Sequence, residues 1–561
     1  MKSQMIRAED KVPVLIVGAG PTGLTAAVEL SRLGINVRIV DKAPKPSDTS
    51  RALAIQARTV ELLRPRAVGE ELLRLGNPVS ATTLYAKGRK LADVELHRMP
   101  SEFNYILLLA QSETERILAD QCARQGVKIE RGVELVSVTQ NHDAGNTHDG
   151  NTVKVVLRRA DGTDEQVEAS YLIAADGAHS PTRKALGLTF EGTSFTQKYA
   201  LGDLHLDGDL AEDQMSVFLA PRGFIAVFPM GEGRFRFTAT DPDGIAGEAA
   251  EPTLKDIQRL YDRVSHVPAT LHNLNWSSRF RINSRHMSTL RAGRVFFGGD
   301  AAHVHSPAGG QGMNTGIQDM INLSWKLAMV LNTQAKPELL DTYETDRLPV
   351  IKQVVRMTRR MTRVVNSTNP IVHSALTRLA PRLLTRSATQ DKVTPRLGQL
   401  AATYRSCPIA RHAGRNGDLH AGDRVPDMDL YTVGDDPTNA ESTNDEPTKT
   451  EERRHLYDMQ DLSALTLFIT DTNAAIDDSY HSFRDLITVH RVRIATHQPR
   501  LRGSDVQIAE QLAAQPGWML LRPDGYLAAA GHSADAATLA RWLERWFIRN
   551  VAIAEPATPT G

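Results

Sequence analysis

Val12–Val17 is an unbroken apolar run, VPVLIV, with polar residues on either side. A short run of this kind predicts a strand buried on both faces, as in a parallel sheet. Helical spacing follows in LTAAVELSRLG, which stops at Gly34, and Ile35–Val40 predicts a second strand closed by Asp41. Tyr171–Ala175 and Val295–Phe297 repeat the buried-strand pattern, and Leu107–Ala110 runs into Gln111-Ser112-Glu113-Thr114. The segment ETERILADQCARQG predicts a helix that Ser112 or Thr114 is placed to cap. Val127–Thr139 and Thr152–Arg159 predict a hairpin with a polar tip. From Thr189 to Arg281 the period shortens to two. MSVFLA, FIAVFPM and RFRFTAT alternate between turns at Pro221-Arg222-Gly223 and Gly231-Glu232-Gly233, predicting an antiparallel sheet. Phe224, Ala226 and Phe228 share a face there, as do Phe235 and Phe237. These aromatics are either plain core or, as a group, the wall of an apolar pocket. Leu339–Val365 predicts a helix carrying Arg347, Arg356, Arg359, Arg360 and Arg363, which reads as a solvated or subunit-contact face. After a boundary at Gly414–Pro426 comes a polar tract, GDDPTNAESTNDEPTKTEERR. Leu462–Thr470, Val489–Ala495, Trp518–Pro523 and Tyr526–Ala529 then predict strands, and HSFRDLITVH and ADAATLARWLERWF predict helices.

Composition narrows this picture by exclusion. A chain of 561 residues holds more than one domain, and 66 basic residues balance 66 acidic ones. Nothing global therefore favours nucleic acid or an anionic membrane. The two cysteines, Cys122 and Cys407, fit neither a disulfide framework nor a metal site, so a reducing, cytoplasmic setting is expected. His303 and His305 lack a third ligand and His142 and His148 sit in a polar loop, so no metal is expected. The N-terminus lacks a signal-peptide core, and no apolar run reaches the ~18 residues of a spanning helix.

Chemistry is concentrated in the glycine-rich turns. Gly18-Ala19-Gly20-Pro21-Thr22-Gly23 joins the first strand to its helix, and Asp41 follows about 20 residues on. In this dinucleotide fingerprint Gly18 makes the tight turn, Gly20 admits a pyrophosphate and Gly23 lets helix and strand close up. The fingerprint does not separate FAD from NAD. Asp176-Gly177 ends one buried strand, and Gly299-Asp300 ends another. The second leads into Pro307-Ala308-Gly309-Gly310-Gln311-Gly312 and a helix starting near Met313. Glycines at this density let backbone amides approach a flat or anionic ligand, and the helix N-terminus adds partial positive charge. Arg51 and Arg58 either serve phosphates or are solvated, and Gln111 either reaches a ligand or is an ordinary loop residue.

GAGPTG at 18–23, the acid–glycine pair 176–177 and GGDAAHVHSPAGGQGMNTG at 298–316 together resemble the group A flavoprotein monooxygenases. These are the FAD-dependent aromatic hydroxylases, para-hydroxybenzoate and phenol hydroxylases among them. The chain is most similar to the aromatic polyketide hydroxylases that end in a thioredoxin-like domain. The resemblance implies an α/β architecture in four parts: a Rossmann-like FAD-binding domain at 1–188, an inserted antiparallel substrate sheet at 189–281, the rest of the FAD domain with connecting helices at 282–413, and a thioredoxin-like domain at 414–561. It implies that Gly18, Gly20, Pro21, Gly23, Asp41 and Lys42 hold the adenosine half of FAD. Arg51, Gln111, Leu135, Asp176, Gly299 and Asp300 would contact the cofactor as well, and Pro307, Gly310, Gly312, Met313 and Asn314 would border the isoalloxazine ring. Phe224, Phe228 and Phe237 are then candidates to line the substrate pocket. The resemblance further implies that NAD(P)H would bind transiently, that O₂ and an aromatic small molecule would be the other reactants, and that oxygen transfer would run through a flavin C4a-hydroperoxide. Nucleic acid and membrane are not expected as partners, and a homodimer is open. Baeyer–Villiger insertion, epoxidation or sequestration without turnover remain alternatives on the same fold. In two places the chain departs from the pattern. Leu53 stands where phenol hydroxylases carry a deprotonating aspartate, so no catalytic base is assigned, and the C-terminal part has no CxxC for thiol redox work.

Overall fold

The structure is a computed structural model describing residues 5–7, 11–47, 52–140, 152–221, 223–241, 251–367, 369–411, 413–433, 452–470, 476–532 and 535–549. Arg51, the hairpin tip with His142 and His148, and most of the polar tract lie outside the described residues. The chain divides into two compact units. The first comprises 1–99, 103–321 and 348–400, and the second 100–102, 322–347 and 401–561.

Two large sheets build the first unit. In one, Val12–Val17 lies between Asp164–Ala174 and Val37–Asp41, and Ile129–Arg131 follows on the outer side, all parallel. Val295–Phe297 pairs in parallel with the end of Asp164–Ala174. The apolar runs do what they predict: Val14, Leu15, Ile16, Phe296 and Phe297 are wholly buried. The hairpin is present as Glu134–Gln140 against Val153–Arg158.

The second sheet has eight strands. From edge to edge they are His303–Val304, Ala269–His286, Glu191–Gly208, Arg234–Thr240, Gly223–Gly231, Gln214–Ala220, Ala81–Ala86 and Arg89–Glu95. The predicted alternating strands are there, but the sheet reaches beyond 189–281. Ala81–Ala86 joins it through a parallel pairing with Gln214–Ala220, and such a pairing of distant segments leaves no mark in local periodicity. On one face the helix Leu254–Ser265 packs over Phe218, Ile225, Val227, Phe235 and Phe237, with its own Ile257, Leu260 and Tyr261 pointing inward. A capping box between Thr253 and Asp256 starts that helix.

Three local expectations change. The helix Gln111–Arg124 begins after Ala110 with no side-chain cap, so neither Ser112 nor Thr114 caps it. HSFRDLITVH is a 3₁₀ turn, His481–Leu486, followed by the strand Ile487–Ile494, because Ile487, Thr488 and Val489 are β-branched and pair with Leu465–Ile469. Arg347 is not on a solvated face; it is buried and donates to Tyr404 Oη at 2.9 Å.

In the second unit, strands run in the order Arg453–His455, Asp429–Thr432, Ile487–Ile494, Leu465–Ile469, Trp518–Leu521, Leu527–Gly531. Only Leu465–Ile469 and Ile487–Ile494 are parallel. Phe468, Met519, Leu521 and Leu430 centre its core. A buried charge cluster ties helix to sheet there: Asp346 accepts from Lys326 Nζ at 2.7 Å and from Arg522 Nη2 at 2.8 Å. The Arg522 guanidinium lies 5.1–5.8 Å from the rings of Trp325, Tyr404 and Tyr526. No described helix is long and apolar enough to cross a membrane.

Candidate cofactor and substrate site

The two glycine-rich motifs and the acid–glycine turn converge in the first unit. Gly18 has φ +104°, and a Cβ there would stand 2.3 Å from Ala175 O, so the fingerprint turn lies against the start of the acid–glycine turn. A Cβ on Gly23 would meet Gly18 O at 1.8 Å, while one on Gly20 would meet nothing within 4 Å. Two glycines are therefore demanded by packing and the middle one opens a space, as a pyrophosphate cradle requires. The helix Pro21–Arg32 starts immediately beyond it. Thr22 then locks the second motif in place. Gly299 has φ +57°, and a Cβ there would stand 2.2 Å from Thr22 Oγ1; a Cβ on Gly316 would stand 2.4 Å from the same atom.

Asp41 accepts from Ala19 N at 2.6 Å through one oxygen and from Ala43 N at 2.7 Å through the other, which fixes the carboxylate beside the fingerprint. Lys42 next to it is exposed. Leu135 is a buried strand residue two positions from Val133, whose amide donates to Asp41 O at 3.0 Å. Asp176 accepts from Thr182 N at 3.0 Å through Oδ2, while its Oδ1 has no protein partner. Asp300 is exposed at the end of a buried strand. Gln111 does not stand alone in a loop: Ala52 N donates to its Oε1 at 3.1 Å, and Gln111 N donates back to Ala52 O at 3.1 Å. Arg58 is neither a phosphate ligand nor solvated, being fully buried against Glu61 at 2.9 Å.

Beyond Asp300 the chain crosses from the parallel sheet to the edge of the eight-stranded sheet, where His303–Val304 pairs with Arg285 and His286. The loop with Pro307 and Gly310 follows, and the helix Gly312–Leu331 begins with Gly312, Met313 and Asn314 in its first turn. Asn314 is wholly buried; it donates to Ala54 O and Gly310 O and accepts from Gln56 N. It is thus a clasp within the loop.

Several residues that hold this site went unnoticed in the sequence. Asp319, two turns into the helix, accepts from Gly299 N at 3.2 Å and faces His303 Nε2 at 2.8 Å, both side chains buried. A carboxylate seven residues past a helix start gives no sign that it reaches back to a turn. Ser306 Oγ lies 2.6 Å from Thr362 Oγ1 and accepts from Ala308 N, pinning the loop to the helix Asp341–Val365. His305 donates through Nδ1 to Ser306 O at 3.0 Å, and burial lowers its imidazole to about 4, so it is neutral at ordinary pH. The described residues contain no cluster that could hold a metal ion.

Of the three candidate pocket aromatics, two share a sheet face. Phe224 and Phe228 lie half-buried on the sheet face away from the helix Leu254–Ser265. Phe237 pairs with Val227, on the opposite face, and packs 6.5 Å from the Tyr261 ring in the core. Its position in the strand, one residue beyond Arg236, puts it on the wrong side. Tyr199, itself wholly buried, and Phe280 stack on the same face, their rings 5.4 Å apart. Leu53 is buried and supplies no base.

A fingerprint interlocked with a second glycine-rich loop, at the edge of an antiparallel sheet, defines a dinucleotide-dependent oxidoreductase. Residues 11–358 match the FAD binding domain family, and residues 420–549 match the C-terminal domain of aromatic-ring hydroxylases. Over 553 residues the chain is 35% identical to 6-methylpretetramide 4-monooxygenase of Streptomyces rimosus, covering 95% of this chain and 93% of that one. It is 29% identical to pentachlorophenol 4-monooxygenase of Sphingobium chlorophenolicum, covering 92% and 93%. Among solved structures, the anhydrotetracycline hydroxylase of Streptomyces rimosus superposes with a TM-score of 0.75 at 27% identity, over 96% of this chain and 99% of that one. The chain belongs to the FAD-dependent aromatic-ring monooxygenases. It is an enzyme that uses FAD, O₂ and NAD(P)H to oxygenate an aromatic small molecule.

Proposed function

We propose that this enzyme hydroxylates a polycyclic phenol of the polyketide type. The observation that carries the reading is the partly exposed apolar face with Phe224 and Phe228, on the same sheet whose edge strand His303–Val304 leads into the cofactor loop. Names of relatives support it, since they act on 6-methylpretetramide and anhydrotetracycline. The cofactor residues form the second part of the proposal. Gly18, Gly20, Pro21, Gly23, Asp41 and Lys42 would hold the adenosine and pyrophosphate, and Arg51 and Gln111 would contact the cofactor. Asp300 would serve the ribityl or pyrophosphate region, Asp176 the nucleotide domain and NAD(P)H handling, and Pro307, Gly310 and Gly312–Asn314 the ring. The fit rests on the open space at Gly20, the unpartnered Asp176 Oδ1 and the exposed Asp300.

Bound FAD supplies hydride acceptance from NAD(P)H and activation of O₂. The chain supplies the rest. Amides at the start of the helix Gly312–Leu331 would offer partial positive charge to a bound flavin. Neutral His305 adds no competing charge. Apolar Leu53, Phe224 and Phe228 exclude water and orient the substrate. With no carboxylate at Leu53, the substrate must be electron-rich enough to react without one. We read the chain as a cofactor domain in two pieces, 1–188 and 282–413, around a substrate sheet centred on 189–281. Residues 414–561 are read as thioredoxin-like but redox-silent, supported by the strand order there and by both cysteines lying earlier. The test is a comparison of tetracyclic and angular polycyclic phenols with simple phenols as accelerators of NAD(P)H oxidation, with product structures solved. Ring hydroxylation of a polycycle is expected; an ester or lactone product would move the enzyme to Baeyer–Villiger chemistry.

A further inference from the structure

The even charge of the whole chain conceals a local excess. Between residues 352 and 396 lysine and arginine recur and the sequence holds a single acid, Asp391. That carboxylate is taken up by Arg98 at 2.9 Å. Arg356, Arg360, Arg363, Arg378, Arg382 and Arg386 are exposed, and none has a carboxylate partner among the described residues. The first three share one face of the helix Asp341–Val365.

Apolar side chains are exposed along the same stretch. The short helices Pro370–Arg378 and Ala380–Leu384 follow, and the first of them buries none of its residues. Ile371, Leu379 and Leu383 are 77%, 56% and 49% exposed. Single exposed apolar residues are ordinary, but a short helix in a protein owes most of its stability to a packed face, and this one has no such face. The stretch starts beside the substrate sheet. Asn366 Nδ2 donates to Tyr199 Oη at 2.5 Å, and the Tyr199 ring lies 6.3 Å from that of Phe224.

The chemistry of the stretch selects among partners. A second copy of the chain in a two-fold contact would set these arginines against their own equivalents, with no acid to neutralise them. Nucleic acid is bound through phosphates and stacked aromatics, and residues 352–396 contain no Phe, Tyr or Trp. An anionic bilayer meets both halves of the pattern, since phosphate headgroups take arginine and the acyl boundary takes leucine and isoleucine. We propose that residues 369–386 dock on an anionic lipid surface, with Ile371, Leu379 and Leu383 entering the acyl boundary and Arg378, Arg382 and Arg386 meeting the headgroups. The contact is peripheral, as no described helix is long and apolar enough to cross a membrane. A bilayer held there lies beside the sheet face that bears Phe224.

The test is sedimentation of full-length, flavin-loaded enzyme with vesicles of phosphatidylcholine and phosphatidylglycerol in equal parts at low salt. The enzyme should pellet with them, leave them as salt is raised, and stay in solution with phosphatidylcholine alone. Reversing three charges in Arg378→Glu/Arg382→Glu/Arg386→Glu should weaken binding about a hundredfold. Ile371→Ser/Leu379→Ser/Leu383→Ser should weaken it about tenfold. All six positions are exposed, so melting temperature and NAD(P)H oxidation should stay at wild-type values. Should a triple variant not fold, Arg382→Glu and Leu379→Ser take its place with the same direction of effect. Wild-type enzyme that ignores anionic vesicles would overturn the proposal, and its capture by immobilised polyglutamate would then assign the face to an acidic protein. Equal binding to neutral vesicles, or wild-type binding in either the arginine or the serine variant, would overturn it as well.

Discussion

The two faces of the eight-stranded sheet differ although they come from the same strands. On one, Phe218, Ile225, Val227, Phe235 and Phe237 are closed under a helix and wholly or almost wholly buried. On the other, Phe224 and Phe228 are half-buried, and a buried Arg236–Asp203 pair reaches out to Ala52. Both faces are rich in aromatics, so composition does not tell them apart. What separates them is closure: a face whose apolar groups all have protein partners is core, and one that keeps part of its apolar area open is available to a ligand.

The comparison can be broken from its closed side first. Phe237→Ala should cost about 3–5 kcal/mol of stability, as removal of a buried aromatic does, and leave the peroxide fraction of surviving enzyme unchanged. Thermal unfolding and peroxide assay on one preparation check both halves; raised peroxide would put Phe237 back in the pocket. Next in size is Asp300→Ala. Loss of a hydrogen bond to a charged group costs about 1.5–3 kcal/mol, so FAD affinity should drop roughly ten- to a hundredfold with the apoprotein's melting temperature nearly unchanged. Equilibrium titration with FAD would remove Asp300 from the site if the affinity held. Smaller still, Phe228→Ala should cost about 1 kcal/mol, since only part of the ring is buried, yet raise the peroxide fraction where Phe237→Ala does not.

The smallest effect is a pH dependence in the glycine-rich loop. Burial lowers the His305 imidazole to about 4, whereas an unfolded histidine protonates near ~6.5. Between those values the unfolded chain binds a proton that the folded chain refuses. Stability is therefore complete above about 6.5 and declines as pH falls towards about 4. His305→Gln should flatten that decline in melting temperature against pH; an identical slope would show that other groups carry it.

Much of the glycine-turn geometry was legible because its constraints are local. Gly18, Gly20 and Gly23 act within one turn, and Asp41 and Asp300 are marked by the strands they end. The substrate side was not, because its decisive contacts join distant segments. A period of two shows that Phe237 and Phe228 lie in strands but not which face meets a helix. The parallel pairing of Ala81–Ala86 with Gln214–Ala220 spans 133 positions, as Gln214 partners Ala81. Arg58 and Arg347 look like surface charges in the sequence and are buried beside Glu61 and Tyr404. His303–Asp319 and Arg236–Ala52 could be seen only once the chain was folded.

The central claim is that oxygen activated at this site enters an aromatic ring lying on the open face. The most direct measurement is turnover of a polycyclic phenol under heavy-oxygen-labelled O₂ with NAD(P)H, followed by mass analysis of the product. One labelled oxygen atom in a new ring hydroxyl, with little peroxide released, is the predicted result. NAD(P)H consumed with all the label recovered as hydrogen peroxide, across the polycyclic phenols that bind, would contradict it.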